Sequence, residues 1–170
     1  MPWVIAILLC ASLALAQDAP SEHRTNRNGS DAAQSRYRKQ GADALAKEQT
    51  RSKANLCADA DTLKGGNARI GQCLADQAKE TEQDYLAYIR AIGALLRLPS
   101  GVESAESSQK RLPFDLAENA WQTYRDKSCT SMATQWEGGD QAPVAYSDCR
   151  LKLTWNHMNE LADLYSDLWH

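Results

Sequence analysis

Between Asn67 and Leu98, apolar side chains recur at three- and four-residue steps: Leu74, Ala78, Tyr85, Tyr88, Ile89, Ile92, Leu95 and Leu96. That period gathers them on one helical face and leaves Asp76, Lys79, Glu80, Glu82 and Arg90 largely on the others. Asn67 suits the N-cap, and Pro99 stops the run. A further helix is predicted from Pro113, a residue that fits the first helical position, to about Trp136. Ala117, Trp121, Tyr124 and Ser128 would form its inner face, with Asp115 and Glu118 near its positive end. Gly138-Gly139 turns the chain and Pro143 opens a last helix. Its expected buried stripe is Cys149, Leu153, His157, Leu161, Leu164 and Leu168, flanked by Met158 and Tyr165.

The rest of the chain is more polar. Residues 34–61 are rich in Ala, Lys, Glu, Gln and Arg, which favour helix. The apolar stripe there is thin: Tyr37, Gly41, Leu45 and then Leu56. This predicts a helix docked only near Cys57. Residues 99–113 have almost no apolar content and read as a long loop. No strand pattern of comparable strength exists. The expected fold is all-α, a small antiparallel helical bundle of about four helices.

The amino terminus is a separate matter. Met1–Ala16 is apolar, uncharged and ends in Ala14-x-Ala16, a small-residue cleavage pattern before Gln17. It is shorter than the ~20 apolar residues a membrane span needs. It therefore reads as a signal peptide, which leaves no stable membrane insertion after cleavage. Leu9 is too bulky before Cys10 for a lipidated cysteine. Residues 17–33 are polar and aperiodic and read as a flexible leader. Residues 34–170 form the single expected domain.

Removing residues 1–16 takes Cys10 and leaves Cys57, Cys73, Cys129 and Cys149. An even count in an exported chain is a disulfide signature. Three pairings are possible. Cys57 and Cys73 lie equally far from Gly65 in a Gly65-Gly66 pair, and Cys129 and Cys149 lie equally far from Gly139 in Gly138-Gly139. Antiparallel helices leaving each turn would bring nearest neighbours level, so Cys57–Cys73 and Cys129–Cys149 are the expected bridges. There is no Cys-x-x-Cys and no His at ligand spacing from a cysteine pair, so no metal site is expected.

Composition narrows function mainly by exclusion. The 170 residues are 43% hydrophobic and 24% charged, with a formal net charge of −3. Mild acidity argues against a nucleic-acid partner, which needs a basic face. No Gly-x-Ser-x-Gly, P-loop or His-Glu-x-x-His motif occurs, and paired cysteines leave no thiol nucleophile. No enzyme activity and no cofactor is expected. Arg125 beside aromatic residues could clamp a carboxylate or phosphate; the commoner role is a pair with a neighbouring helix. His157 and Glu160 share a helical face, but further acidic ligands are missing, so His157 reads as a core or boundary residue. Trp136, beside the Gly138-Gly139 turn, is either an exposed interface anchor or a cover for the Cys129–Cys149 bridge.

The segment from Trp121 to Leu161 resembles the LprI-like lysozyme inhibitor family. The shared elements are Trp121, Tyr124-Arg125-Asp126, Cys129, Gly138-Gly139, Cys149 and Leu153-Thr154. The Cys57…Cys73 pair and the helix carrying Tyr85 and Tyr88 extend the likeness to about residues 55–165. Two positions depart from the pattern. Asp140 stands where the family often has Ser, and His157 where it often has Arg, a residue that would pair with Asp126. The resemblance implies a periplasmic or secreted bacterial protein that binds and sterically inhibits a c-type lysozyme. The contact residues expected are Trp136, Glu137 and Asp140 at the tip, with Arg125 as a further candidate. The alternative is a periplasmic structural or adaptor module without lysozyme activity, which would need the same export, disulfides and packing.

Overall fold

The computed structural model describes residues 21–54, 56–57, 66–98 and 104–170, with side chains from residue 29 in the first helix and from residue 111 in the third. The signal peptide read over residues 1–16, Gly65 and the Pro99 helix stop lie outside the described residues. Among the described residues there are α-helices and no strands: α1 (Ser21–Arg51), α2 (Gly66–Leu95), α3 (Ser104–Thr134) and α4 (Gln141–Leu164), then a short 3-10 turn over Ser166–Trp169. Both expected disulfides are present, Cys57–Cys73 and Cys129–Cys149, with Cα atoms 5.9 and 5.5 Å apart.

Helices adjacent in sequence run antiparallel. Glu48 of α1 meets Thr81 of α2, and Arg51 meets Gln77. Arg125 of α3 meets Thr154 of α4. The diagonal pair α2 and α4 runs parallel: Asn67 meets Asp140, and Tyr85 lies beside His157. These two helices pack most closely on each other, with α1 against α2 and α3 against α4. The core between them comprises Ala44, Tyr85, Tyr88, Ile92, Phe114, Met158 and Leu161. Aromatic rings tie its edges: Tyr88 stacks on Trp169 at 5.5 Å and Phe114 meets Tyr165 edge-on at 5.5 Å.

The boundaries differ from the sequence expectation in three places. The polar leader is helical from Ser21, although its lack of an apolar face hid it from periodicity. α1 ends at Arg51, short of Cys57, and docks through Gly41, Ala44 and Glu48. At Gly41 the backbone comes so close to the Trp169 ring that a Cβ would collide with it. Cys57 then takes a left-handed conformation, φ 65°. The expected loop over 99–113 is helical from Ser104, so Pro113 sits inside α3 instead of opening it. Ser, Glu, Gln and Lys are tolerable helix formers, and a proline removes one backbone donor without ending every helix.

The buried faces are also shifted. In α3 the inward residues are Phe114, Glu118, Arg125 and Cys129, whereas Ala117 and Tyr124 point outward. In α4, Ser147, Leu151, Thr154 and Met158 join Cys149, His157 and Leu161 in the interior; Leu164 is exposed. α4 buries a wider arc than one stripe because it meets α2 and α3 on different sides.

Candidate functional site

Behind the surface lies a charged interior. Arg125 is 1% exposed. Its guanidinium donates to both Glu82 oxygens, at 2.6 and 3.3 Å, to Asp126 Oδ1 at 3.0 Å and to Thr154 Oγ1 at 3.3 Å. The side chain also lies over the Trp121 ring, 5.1 Å from its centroid. Burial opposes the Arg125 charge, but Glu82 and then Asp126 outweigh it and raise the pKa further. Arg150 adds a second cation, donating to Glu82 Oε2 at 3.0 Å.

Two helical turns earlier in α3, Glu118 accepts a hydrogen bond from the Tyr85 hydroxyl at 2.8 Å, and His157 Nε2 stands 3.1 Å from the same carboxylate oxygen. His157 Nδ1 faces Glu160 at 3.4 Å, and its ring stacks on Trp121 with centroids 3.9 Å apart. Burial, then the Glu118 charge, pushes the Tyr85 hydroxyl far above its ordinary pKa, so it remains a donor. These contacts correct two expectations. Glu118 is not a helix-end charge but the acceptor at the centre of a buried cluster. His157 does not substitute for an arginine opposite Asp126; Asp126 is held by Arg125, with Arg150 3.9 Å away.

The α3–α4 turn is built differently. Successive tight backbone bonds close it: Gln135 N–H to Met132 O, Trp136 N–H to Ala133 O, Glu137 N–H to Thr134 O and Gly139 N–H to Trp136 O. Gly138 has φ 82°, a conformation that favours glycine, so it is the member of the diglycine the turn requires. The Cys129–Cys149 bridge closes the hairpin behind it. Asn67 Nδ2, from the start of α2, donates to Asp140 Oδ1 at 3.0 Å and braces the turn from the side. Asn67 therefore lies within the first turn of α2 and binds another helix pair instead of capping its own. Gly71 fits closely beside Pro143 and Val144, where a Cβ would come within 3.3 Å of the proline ring.

Trp136 is 52% exposed at this tip, and Glu137 and Asp140 are exposed beside it. Three of the four residues singled out as contacts thus share one solvent-facing turn. Arg125 does not join them: it lies inside the bundle with every face occupied. Sequence reasoning missed Glu48, Thr81, Glu118 and Thr154 as buried polar residues. Their spacing against apolar neighbours, such as that of Thr154 against Leu151, Met158 and Leu161, carried a signal that their polarity masked. No group of three or more His, Cys, Asp or Glu able to hold a metal exists among the described residues.

Fold and site together define a small disulfide-stapled helical bundle with an ion-paired interior and one braced, tryptophan-bearing tip. The chain matches the family model described as lysozyme inhibitor LprI over residues 57–161, and it belongs to that family. The matched segment contains both disulfides, the Arg125 cluster and the tip; α1 precedes it. No curated protein and no solved structure matches the chain. Two disulfides and the family together point to a location outside the cytoplasm. No helix among the described residues is long and apolar enough to cross a membrane.

Proposed function

We propose that this protein is exported to the periplasm or beyond, where it binds a c-type lysozyme and inhibits it sterically through the α3–α4 tip. The observation that carries this reading is the half-exposed Trp136 on a turn fixed by a disulfide and the Asn67–Asp140 bond. A rigid indole loses little entropy on binding, and tryptophan is enriched among residues that dominate interface energies. Lysozyme cleaves with two carboxyl groups flanking the scissile bond. A tip that fills the saccharide cleft excludes the substrate without any chemistry of its own. Glu137 and Asp140 supply acceptors at the rim of that contact, and Arg125 serves by holding α2, α3 and α4 in register beneath it.

Trp136→Ala is expected to weaken inhibition at least about thirtyfold, the equivalent of ~2 kcal/mol for a binding anchor. Its thermal midpoint should stay near wild type, because the indole is not a core residue. Inhibition constants from cell-wall lysis, with circular dichroism as the folding control, test this. A folded variant with unchanged inhibition would remove the tip from the mechanism. A wild-type protein that binds lysozyme not at all would favour the adaptor reading.

A further inference from the structure

α3 is buried on one side and apolar on the other. Its inner side carries Phe114, Glu118, Arg125 and Cys129 into the bundle. Its outer side exposes Leu112, Leu116, Ala120 and Tyr124 at four-residue steps, with Pro113 and Ala117 exposed beside them. The large side chains Leu112, Leu116 and Tyr124 are 62%, 60% and 59% exposed. Each four-residue step advances about 40° around a helix, so the row spreads over roughly a third of the circumference. α3 packs on α4 and reaches α2, both from its inner side, so this arc has no partner among the described helices. A contiguous apolar face with a polar rim, here Asn119 and Thr123 on one flank, marks a surface that another molecule covers.

The order of residues along the face says which molecule. Leu116 and Tyr124 lie equally far on either side of Ala120, and Asp115 and Lys127 almost so. A two-fold axis at Ala120 therefore sets Leu116 against the partner's Tyr124 and brings Lys127 to the partner's Asp115, and both contacts occur twice. The small side chains of Ala117 and Ala120 stand where the two helices cross and leave room for close approach. The charges at the ends are available. Asp115 is partly exposed and held by Arg111 at 2.7 Å, which leaves its carboxylate room for a second donor. Lys127 is exposed and forms no ion pair among the described residues. A stripe with a carboxylate toward one end and an ammonium toward the other complements an inverted copy of itself; in a parallel pair like charges would meet.

We propose that the outer face of α3 is a homodimer interface, on which two copies of this chain pair antiparallel through Leu112, Leu116, Ala120 and Tyr124. One helical face is smaller than the ~800 Å² per partner of a standard interface, so the association is reversible and depends on concentration. The pairing leaves both tips open. Trp136 lies roughly 24 Å from Ala120 along the helix direction, at ~1.5 Å per residue, so the two tips point away from each other at opposite ends of the dimer.

Sedimentation velocity of the oxidised chain lacking residues 1–16, the segment read as a signal peptide, tests the interface. Between ~1 μM and ~1 mM the wild-type protein should pass from monomer to dimer and go no further, because a two-fold contact closes on itself. Ala120→Glu places a carboxylate at the axis, against its own copy, and should stay monomeric throughout. Ala120 is exposed and glutamate is a good helix former, so the circular dichroism of this variant should be unchanged. Lys127→Glu should weaken dimerisation at least about tenfold, since the like-charge contact forms twice, and adding Asp115→Lys should restore most of that loss. No folding defect reproduces such a rescue. A wild-type protein that is monomeric at every concentration overturns the proposal. So does a dimer that survives Ala120→Glu, or a charge swap that rescues nothing. A monomeric wild type whose inhibition of lysozyme is weakened by Ala120→Glu would give the face to lysozyme instead. The sedimentation result itself does not depend on whether the tip binds lysozyme.

Discussion

Arg125→Ala is expected to lower stability by about 3 kcal/mol, near the lower end of what breaking a buried ion pair costs. For a chain of 170 residues this corresponds to roughly 6–12 °C in Tm. Arg125 is 1% exposed and bonds Glu82, Asp126 and Thr154 at once. Alanine removes those bonds and the packing over Trp121, and leaves a cavity between three helices. The loss stays at the low end for two reasons. Glu82 retains Arg150 at 3.0 Å, and its side chain is 23% exposed, so water can reach it. Adding Glu82→Gln to the alanine variant should recover part of the loss by removing the charge left behind. Thermal unfolding of the two variants checks both statements. A loss under ~1 kcal/mol would mean that the pair behaves as a surface salt bridge.

Reduction of both disulfides should have a still larger effect. In the chain-entropy picture, closing loops whose ends are 16 and 20 residues apart stabilises by roughly 3 kcal/mol each. Together that is ~6 kcal/mol, comparable to the whole stability of many domains, which is about 5–15 kcal/mol. The reduced chain should therefore sit at the edge of unfolding at 37 °C. The bridges should also open in order. Cys129 is 0% and Cys149 5% exposed, whereas Cys57 and Cys73 are only half-buried, so mild reductant reaches the Cys57–Cys73 pair first. Alkylation followed by mass analysis gives the order, and denaturant unfolding with and without reductant gives the magnitude. A reduced protein as stable as the oxidised one would show that packing alone holds the bundle.

The helices and disulfides were legible in the sequence because each rests on a local signal. Apolar residues at three- and four-residue steps mark α2, and Gly138-Gly139 marks the stapled α3–α4 turn. The inner face of α3 was not legible by the same means. Hydropathy assigns Tyr124 inward and Glu118 outward, yet the structure reverses both. Glu118 and Arg125 are buried because their partners, Tyr85, His157 and Glu82, come from other helices, and no single-helix period can contain that information. The amino-terminal half of α1 and the start of α3 were missed for the opposite reason. They are helices with little apolar surface, so periodicity has nothing to register. The tip was half legible: Gly138-Gly139 located the turn, but only the fold separates Trp136, Glu137 and Asp140 at the surface from Arg125 in the interior.

The most direct test is lysis of cell walls by c-type lysozyme, titrated with the oxidised chain lacking residues 1–16, the segment read as a signal peptide. Inhibition should saturate near one equivalent and should be lost in the folded Trp136→Ala variant. A folded, disulfide-bonded sample that leaves several lysozyme types fully active would contradict the proposed function.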